Sequence, residues 1–278
     1  YLVTLHGSYE ATNRAHLPDE RIARLVGGVS HFVYTADKNL KLFDFLALPP
    51  SVLTKLPNAM PVDPLPFPKT RDGLGIASDA VVYTLVARGI PEKGWEASIA
   101  AFVRLREKHP ERALHLLLCG EGEEVDRLFA LHGTDPDITF LGFQTRVHGL
   151  YRLSDVAIVP SRFSGESYPL CIIQAFQTGT PVIGSRVGEI KTMLAPPDQR
   201  PAGVLIEASQ DDDLFVRSLE GAMEIMLSEA RRNEYAEAAR ILGEGYSMDK
   251  LVSVYCRLYE SLLAKTQDDA QIECTTAA

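Results

Sequence analysis

The stretch LSDVAIVPSRFSGESYPLCIIQAFQTGTPVIGSRVGEI, residues 153–190, decides how the chain folds. It runs from an apolar strand, VAIVP, through a polar loop holding Gly165 and Glu166, into a helical segment, PLCIIQAFQTG. A second short apolar strand, PVIGS, follows. Two buried strands separated by a helix form a parallel crossover unit, because parallel neighbours need a long connection.

The same rhythm extends outward in both directions. Upstream lie the strands VVYTLVA, LHLLLCG and ITFLG, separated by the helical patterns WEASIAAFVRLREKH, EEVDRLFALHG and HGLYRLS. Downstream, SLEGAMEIMLSEARRNEYAEAARIL reads as one helix and DKLVSVYCRLYESLL as a last one. Apolar strands alternating with helices predict an α/β domain over residues 80–245, with a parallel sheet covered on both faces. Right-handed crossovers then line up the C-terminal ends of the strands, and their loops, along one rim.

Residues 1–62 read as part of a second α/β domain. YLVTL and SHFVYTA are strands, PDERIARLVGG and ADKNLKLFDFLAL are helical, and Pro49-Pro50 ends the last of these. Prolines then crowd the chain and no core pattern appears, so residues 63–79 are expected to be a linker. Residues 246–264 read as a closing helix and 265–278 as a polar, disordered tail. The opening residues lack an initiator Met and a signal peptide, so the expectation is that part of the first domain precedes Tyr1.

The 278 residues carry 46% apolar and 23% charged side chains, the make-up of a chain with a real core. A formal charge of −9 argues against nucleic acid as a partner, since phosphate binding needs a net basic surface. No run of 18 apolar residues offers a membrane span. The four cysteines, Cys119, Cys171, Cys256 and Cys274, have no metal-ligand or disulfide spacing, which suits buried thiols in a reducing compartment. The seven histidines, His16 among them, form no metal-ligand spacing either.

Four rim loops carry the candidate chemistry. In ARGIPEKGW, Arg88 and Lys93 flank a turn beside a helix N-terminus, with Gly89 between them. Two cations and free backbone N–H groups suit a diphosphate, although an exposed turn with ordinary charges has the same composition. In CGEGEE, Gly120 and Gly122 permit either a ligand approach or a plain glycine turn. In PSRFSGESYP, Gly165 lets the chain turn, Ser167 is placed to cap a helix, and Glu166 sits just outside it. Eight residues of helix rise about 12 Å, so Glu166 and Gln174 could touch opposite ends of one extended ligand. In GSRVGEI, Arg186 and the backbone of Gly188 suit phosphate, while Arg186 also fits a solvated surface charge. His6, at the end of the first strand, is the one candidate acid or base of the partial domain.

Taken together, these loops resemble the GT-B fold glycosyltransferases, specifically the large retaining family 4. The resemblance rests on LHG, LPNAMPV, LVARGIPEKGW, LLLCGEGEE, ITFLG, the 153–190 stretch and YSMDKLVSVYCRLYESLL, in that order. It implies a Rossmann-like C-terminal domain, a partial Rossmann-like N-terminal domain on the acceptor side, and a final helix that braces the latter. By resemblance, Arg88 and Lys93 are the pair that grips the donor diphosphate. Glu166 is the sugar-facing acid of an E-x7-E element, His6 contacts the donor sugar, and Gly89, Gly120, Arg186 and Gly188 line the nucleotide.

Gln174 stands where the family carries the ribose-binding acid. An amide there still pairs with hydroxyls, so the expected loss is about 1 kcal/mol. After the last strand the family's Gly-Gly-x-x-Glu becomes Gly188-Glu189-Ile190, and Glu189 is expected to point away from the diphosphate. The implied reaction transfers a hexosyl unit from a nucleoside diphosphate sugar to a glycan, lipid or small-molecule acceptor with retention. It needs no cofactor and, with two cations on the leaving group, no metal. The expected location is cytoplasmic, with peripheral membrane contact through residues ahead of Tyr1 left open. Competing readings are a catalytically inert nucleotide-sugar-binding subunit, supported by Gln174, and a sugar-nucleotide epimerase on the same fold. With the acceptor side incomplete, the expectation extends to a chain inactive by itself.

Overall fold

The computed structural model describes residues 1–7, 18–163 and 165–276, apart from the side chains of Leu42 and residues 265–276. The polar loop 8–17, with His16, lies outside the described residues. The chain divides into two units, Tyr1–Pro61 with Tyr246–Ala278, and Val62–Gly245.

The first unit is a small parallel sheet. Strands β1 (Leu2–Leu5), β2 (His31–Tyr34) and β3 (Leu53–Lys55) lie in the order β1-β2-β3, with Leu2 opposite His31 and Phe32 opposite Leu53. The sequence pattern does not reveal β3, which is only three residues long. Helix α1 (Asp19–Val26) lends Ile22 to a core with Phe32 and Phe43, whose rings lie 5.3 Å apart. The run 37–46 is a 3₁₀ helix rather than an α-helix. At its start the Asn39 side chain accepts a hydrogen bond from the Ala36 N–H at 2.8 Å, and Ala47 ends it in the left-handed region.

The last helix of the chain, Met248–Thr276, belongs to this unit, and the Thr4 hydroxyl meets the Tyr255 hydroxyl at 3.1 Å. Its backbone stays helical through the stretch expected to be a disordered tail. That stretch has neither Gly nor Pro between Lys265 and Thr276, so nothing in it breaks a helix.

The second unit carries six strands: β4 (Val81–Val86), β5 (Leu114–Cys119), β6 (Ile138–Gly142), β7 (Val156–Val159), β8 (Val182–Ser185) and β9 (Gly203–Ile206). All pair in parallel in the order β6-β5-β4-β7-β8-β9. Strand β9 is absent from the sequence reading, where a four-residue apolar piece after a proline-rich loop carries too little pattern. Helices α2 (Trp95–Lys108), α3 (Glu123–His132), α4 (Val147–Tyr151), α5 (Leu170–Gln177) and α6 (Ile190–Leu194) fill the crossovers. The single helix expected over 218–242 is two, α7 (Asp212–Ile225) and α8 (Glu229–Gly243). The break is set by Ser228, whose hydroxyl accepts from the Arg231 N–H at 3.4 Å, a capping interaction that outweighs the run of helix formers.

Residues 63–79 are not a free linker. Phe67 and Ile76 are buried with Val82, Leu117 and Leu150, and Arg71 holds Asp155 at 2.9 Å. The prolines suppress helix and strand without preventing apolar side chains from docking on the sheet.

One topological fact positions the site. From β4 the chain steps outward to β5 and β6, then returns to the other flank of β4 with β7. Loops following β4 and β7 therefore leave in opposite directions and open a crevice at the carboxyl ends of those two strands, the place where open α/β sheets bind ligands.

Candidate functional site

A cavity of about 350 Å³ occupies that crevice. Its floor is apolar, from Leu85, Val86, Ile158 and Val159, and its polar groups are Arg88, Lys93, Ser161 and Glu166. Three of the four residues expected to act on the reacting bond thus meet on one wall, although Arg88 and Glu166 are 78 positions apart.

Local chemistry holds each of them. Arg88 leaves the end of β4 and is exposed, while its carbonyl accepts a hydrogen bond from the indole N–H of the fully buried Trp95 at 2.8 Å. Lys93 ends a 3₁₀ turn begun by Pro91, and Gly94 follows with φ of 75°. A Cβ on Gly94 would overlap the carbonyl oxygen of Pro160 and crowd its ring, so the β4 and β7 loops meet at this point only because Gly94 has no side chain. Lys93 Nζ lies 2.5 Å from Glu166 Oε2, and both side chains are largely buried. The ring of Phe163 lies 5.0 Å from Lys93 Nζ and 5.6 Å from the Arg88 guanidinium.

The Glu166 loop is braced from below. Its N–H donates to the Phe163 carbonyl at 3.0 Å, and the Ser167 carbonyl accepts from the Glu189 N–H at 2.9 Å. Gly188, with φ of 55°, packs against the Glu166 carbonyl so closely that a Cβ would overlap it. Ser167 does not cap α5. The helix starts at Leu170 with Pro169 in the capping position and no side-chain cap, because the buried Glu166–Ser167 backbone is already tied to the 188–189 loop.

The other expected residues fall elsewhere. Gly89 and Gly120 are buried against neighbouring backbone: the Gly89 N–H donates to the Glu121 carbonyl at 2.7 Å, and a Cβ on Gly120 would strike the Ala87 carbonyl. They weld two rim loops together and do not line the cavity. Arg186 is paired with Glu207 at 2.7 Å, away from the cavity lining. Glu189 is buried at the foot of α6. Gln174 is half-buried on α5, outside the lining, and gives its backbone carbonyl to the Thr178 hydroxyl at 3.2 Å. His6 belongs to the first unit, exposed at the end of β1.

Phe163 is the site residue that sequence reasoning missed. A lone aromatic in a polar loop carries no periodic signal. Cys171 also enters the wall unannounced, its thiol pushed up to about 12 by burial, with the Glu166 charge adding to the shift and Lys93 opposing it. The expectation of buried thiols holds for Cys119 and fails for Cys256, which is exposed on the last helix; the Cys274 side chain lies outside the described ones. Among the described residues no cluster of His, Cys, Asp and Glu could hold a metal ion, and no helix is long and apolar enough to cross a membrane.

Known proteins extend these observations. The chain is 30% identical over 208 residues to D-inositol 3-phosphate glycosyltransferase 2 of Catenulispora acidiphila, covering 70% of this chain and 47% of that one. It is 29% identical over 250 residues to the D-inositol 3-phosphate glycosyltransferase of Geodermatophilus obscurus, covering 84% and 53%. The chain spans about half the length of the curated relatives it matches.

Among solved structures, sucrose-phosphate synthase of Thermosynechococcus elongatus superposes with a TM-score of 0.72 at 19% identity, covering 95% of this chain and 68% of that one. Anabaena HepE, in complex with UDP and glucose, gives 0.70 at 16% identity, covering 94% and 71%. These likenesses show an α/β fold of the GT-B type. The family model for glycosyl transferases group 1 matches residues 66–241, well over half of the sequence, and the chain belongs to that family.

Proposed function

We propose that the second unit binds a nucleoside diphosphate sugar, and that the whole protein transfers the hexosyl unit to an acceptor with retention of configuration. One observation carries this: Arg88, Lys93 and Glu166 line a single cavity at the β4/β7 switch point. Two cations placed where a diphosphate departs stabilise charge as it develops, the role a divalent ion would otherwise fill. Glu166 offers the wall's carboxylate to sugar hydroxyls. The HepE structures, solved with UDP and with UDP-glucose, support a donor of this class.

Retention fits attack from the face the diphosphate leaves. Glu166 is the only carboxylate among the residues lining the cavity, and its pairing with Lys93 disfavours it as a nucleophile. Gln174 would face the ribose and Gly188 would offer its backbone N–H to the diphosphate. The acceptor is a glycan, a lipid or a small molecule; the names of the curated relatives favour a small phosphorylated polyol. A cytoplasmic location agrees with thiols that form no disulfide among the described residues.

The test is a panel of nucleoside diphosphate hexoses followed by proton NMR. Saturation transfer to both nucleotide and sugar protons of one donor is expected, and any slow hydrolysis should first release the anomer present in the donor. Release of the opposite anomer would overturn retention.

A further inference from the structure

We infer that Phe163 is the positioning residue of this site: its ring holds Arg88 and Lys93 side by side, facing the cavity. The inference rests on the donor-binding reading above. Phe163 is not among the residues that line the cavity and reaches it through the two cations, with Lys93 Nζ 5.0 Å and the Arg88 guanidinium 5.6 Å from the ring centroid. An aromatic face attracts both charges and offsets their mutual repulsion, which would otherwise spread two flexible side chains through solvent.

The ring is placed by its neighbours. On one side Arg162 anchors the chain: its N–H donates to the Glu92 carbonyl at 2.7 Å, its guanidinium meets Asp212 at 2.6 Å, and it lies 4.8 Å from the Phe215 ring. The Phe163 N–H donates to the Ser161 hydroxyl at 3.2 Å. On the other side stands Gly165, where a Cβ would come within 2.5 Å of the Phe163 ring edge. Gly165 also stands inside the turn that the Glu166 N–H closes on the Phe163 carbonyl, so it turns the chain and leaves room for the ring. Because the Phe163 carbonyl also accepts from the Glu166 N–H, one residue touches three of the wall's four polar residues, Glu166 through its backbone.

The experiment titrates the 278-residue chain with UDP, GDP and dTDP, and with the monophosphate of whichever binds, comparing wild type, Lys93→Ala, Phe163→Leu, Phe163→Tyr and Gly165→Ala. Phe163→Leu and Gly165→Ala should weaken the diphosphate about five- to tenfold and the monophosphate much less. Phe163→Tyr, which keeps the ring, should restore wild-type affinity. A merely structural role would lower both affinities alike and would not be rescued by shape. If Lys93→Ala weakens binding while Phe163→Leu does not, the inference fails and the donor site stands. If no nucleotide binds the wild type, the donor reading itself fails. The geometry has its own check: ¹³C-methylated Lys93 should show an upfield ring-current shift that Phe163→Leu removes, and an unchanged shift overturns the contact.

Discussion

Lys93 Nζ sits 2.5 Å from Glu166 Oε2, with the two side chains 14% and 9% exposed, across 73 residues of sequence. A charge pair this dry persists because each partner neutralises the other, and deleting one leaves the second uncompensated. A cycle of Lys93→Met, Glu166→Gln and the double variant, read by urea unfolding, should give a coupling of about 1–3 kcal/mol. Additive single effects would mean the pair is not formed in solution.

Gly94 separates the two loops that carry this pair. With φ of 75° and no room beside the Pro160 carbonyl, Gly94→Ala meets both a backbone and a steric penalty. Unfolding should be easier by about 2–4 kcal/mol. A change under about 0.5 kcal/mol would show that the loops can part freely.

Gln174 on α5 is assigned to the ribose by its place in the E-x7-E spacing, not by the cavity lining. Restoring the acid tests that placement. Gln174→Glu gains charge-assisted hydrogen bonds and should tighten nucleotide binding about fivefold. An unchanged or weaker affinity refutes the assignment.

Away from the site, Arg106 clamps Asp135 with contacts of 2.7 and 2.9 Å and holds that carboxyl below the usual range. A depressed carboxylate contributes stability that is fully present above its unfolded value, about 3.9, and is lost as pH falls toward the folded value. Arg106→Gln should therefore cost most near pH 6, with the difference from wild type shrinking toward pH 2.5. A difference that stays constant with pH would contradict this.

Much of this was legible in the sequence because the central strands are read twice. Val81–Val86 and Leu114–Cys119 are continuous apolar runs, and their following loops concentrate Gly and charge. The cations Arg88 and Lys93 and the acid Glu166 stand out in the sequence because they follow strand ends, and they line one cavity. What escaped depends on distant partners. Phe163 gains meaning only beside two cations, Arg186 is taken by Glu207, and Gly89 and Gly120 serve backbone packing. The break at Ser228 and the short β9 carry signals too local to stand out from their helical and proline-rich surroundings.

Calorimetric titration of the chain with UDP, GDP and dTDP, alongside Lys93→Ala, addresses the donor site most directly. One of the three should bind at micromolar to submillimolar concentration, and Lys93→Ala should weaken it at least about tenfold. Absence of binding by every nucleotide up to millimolar, or binding indifferent to Lys93, would contradict a diphosphate site at the β4/β7 crevice.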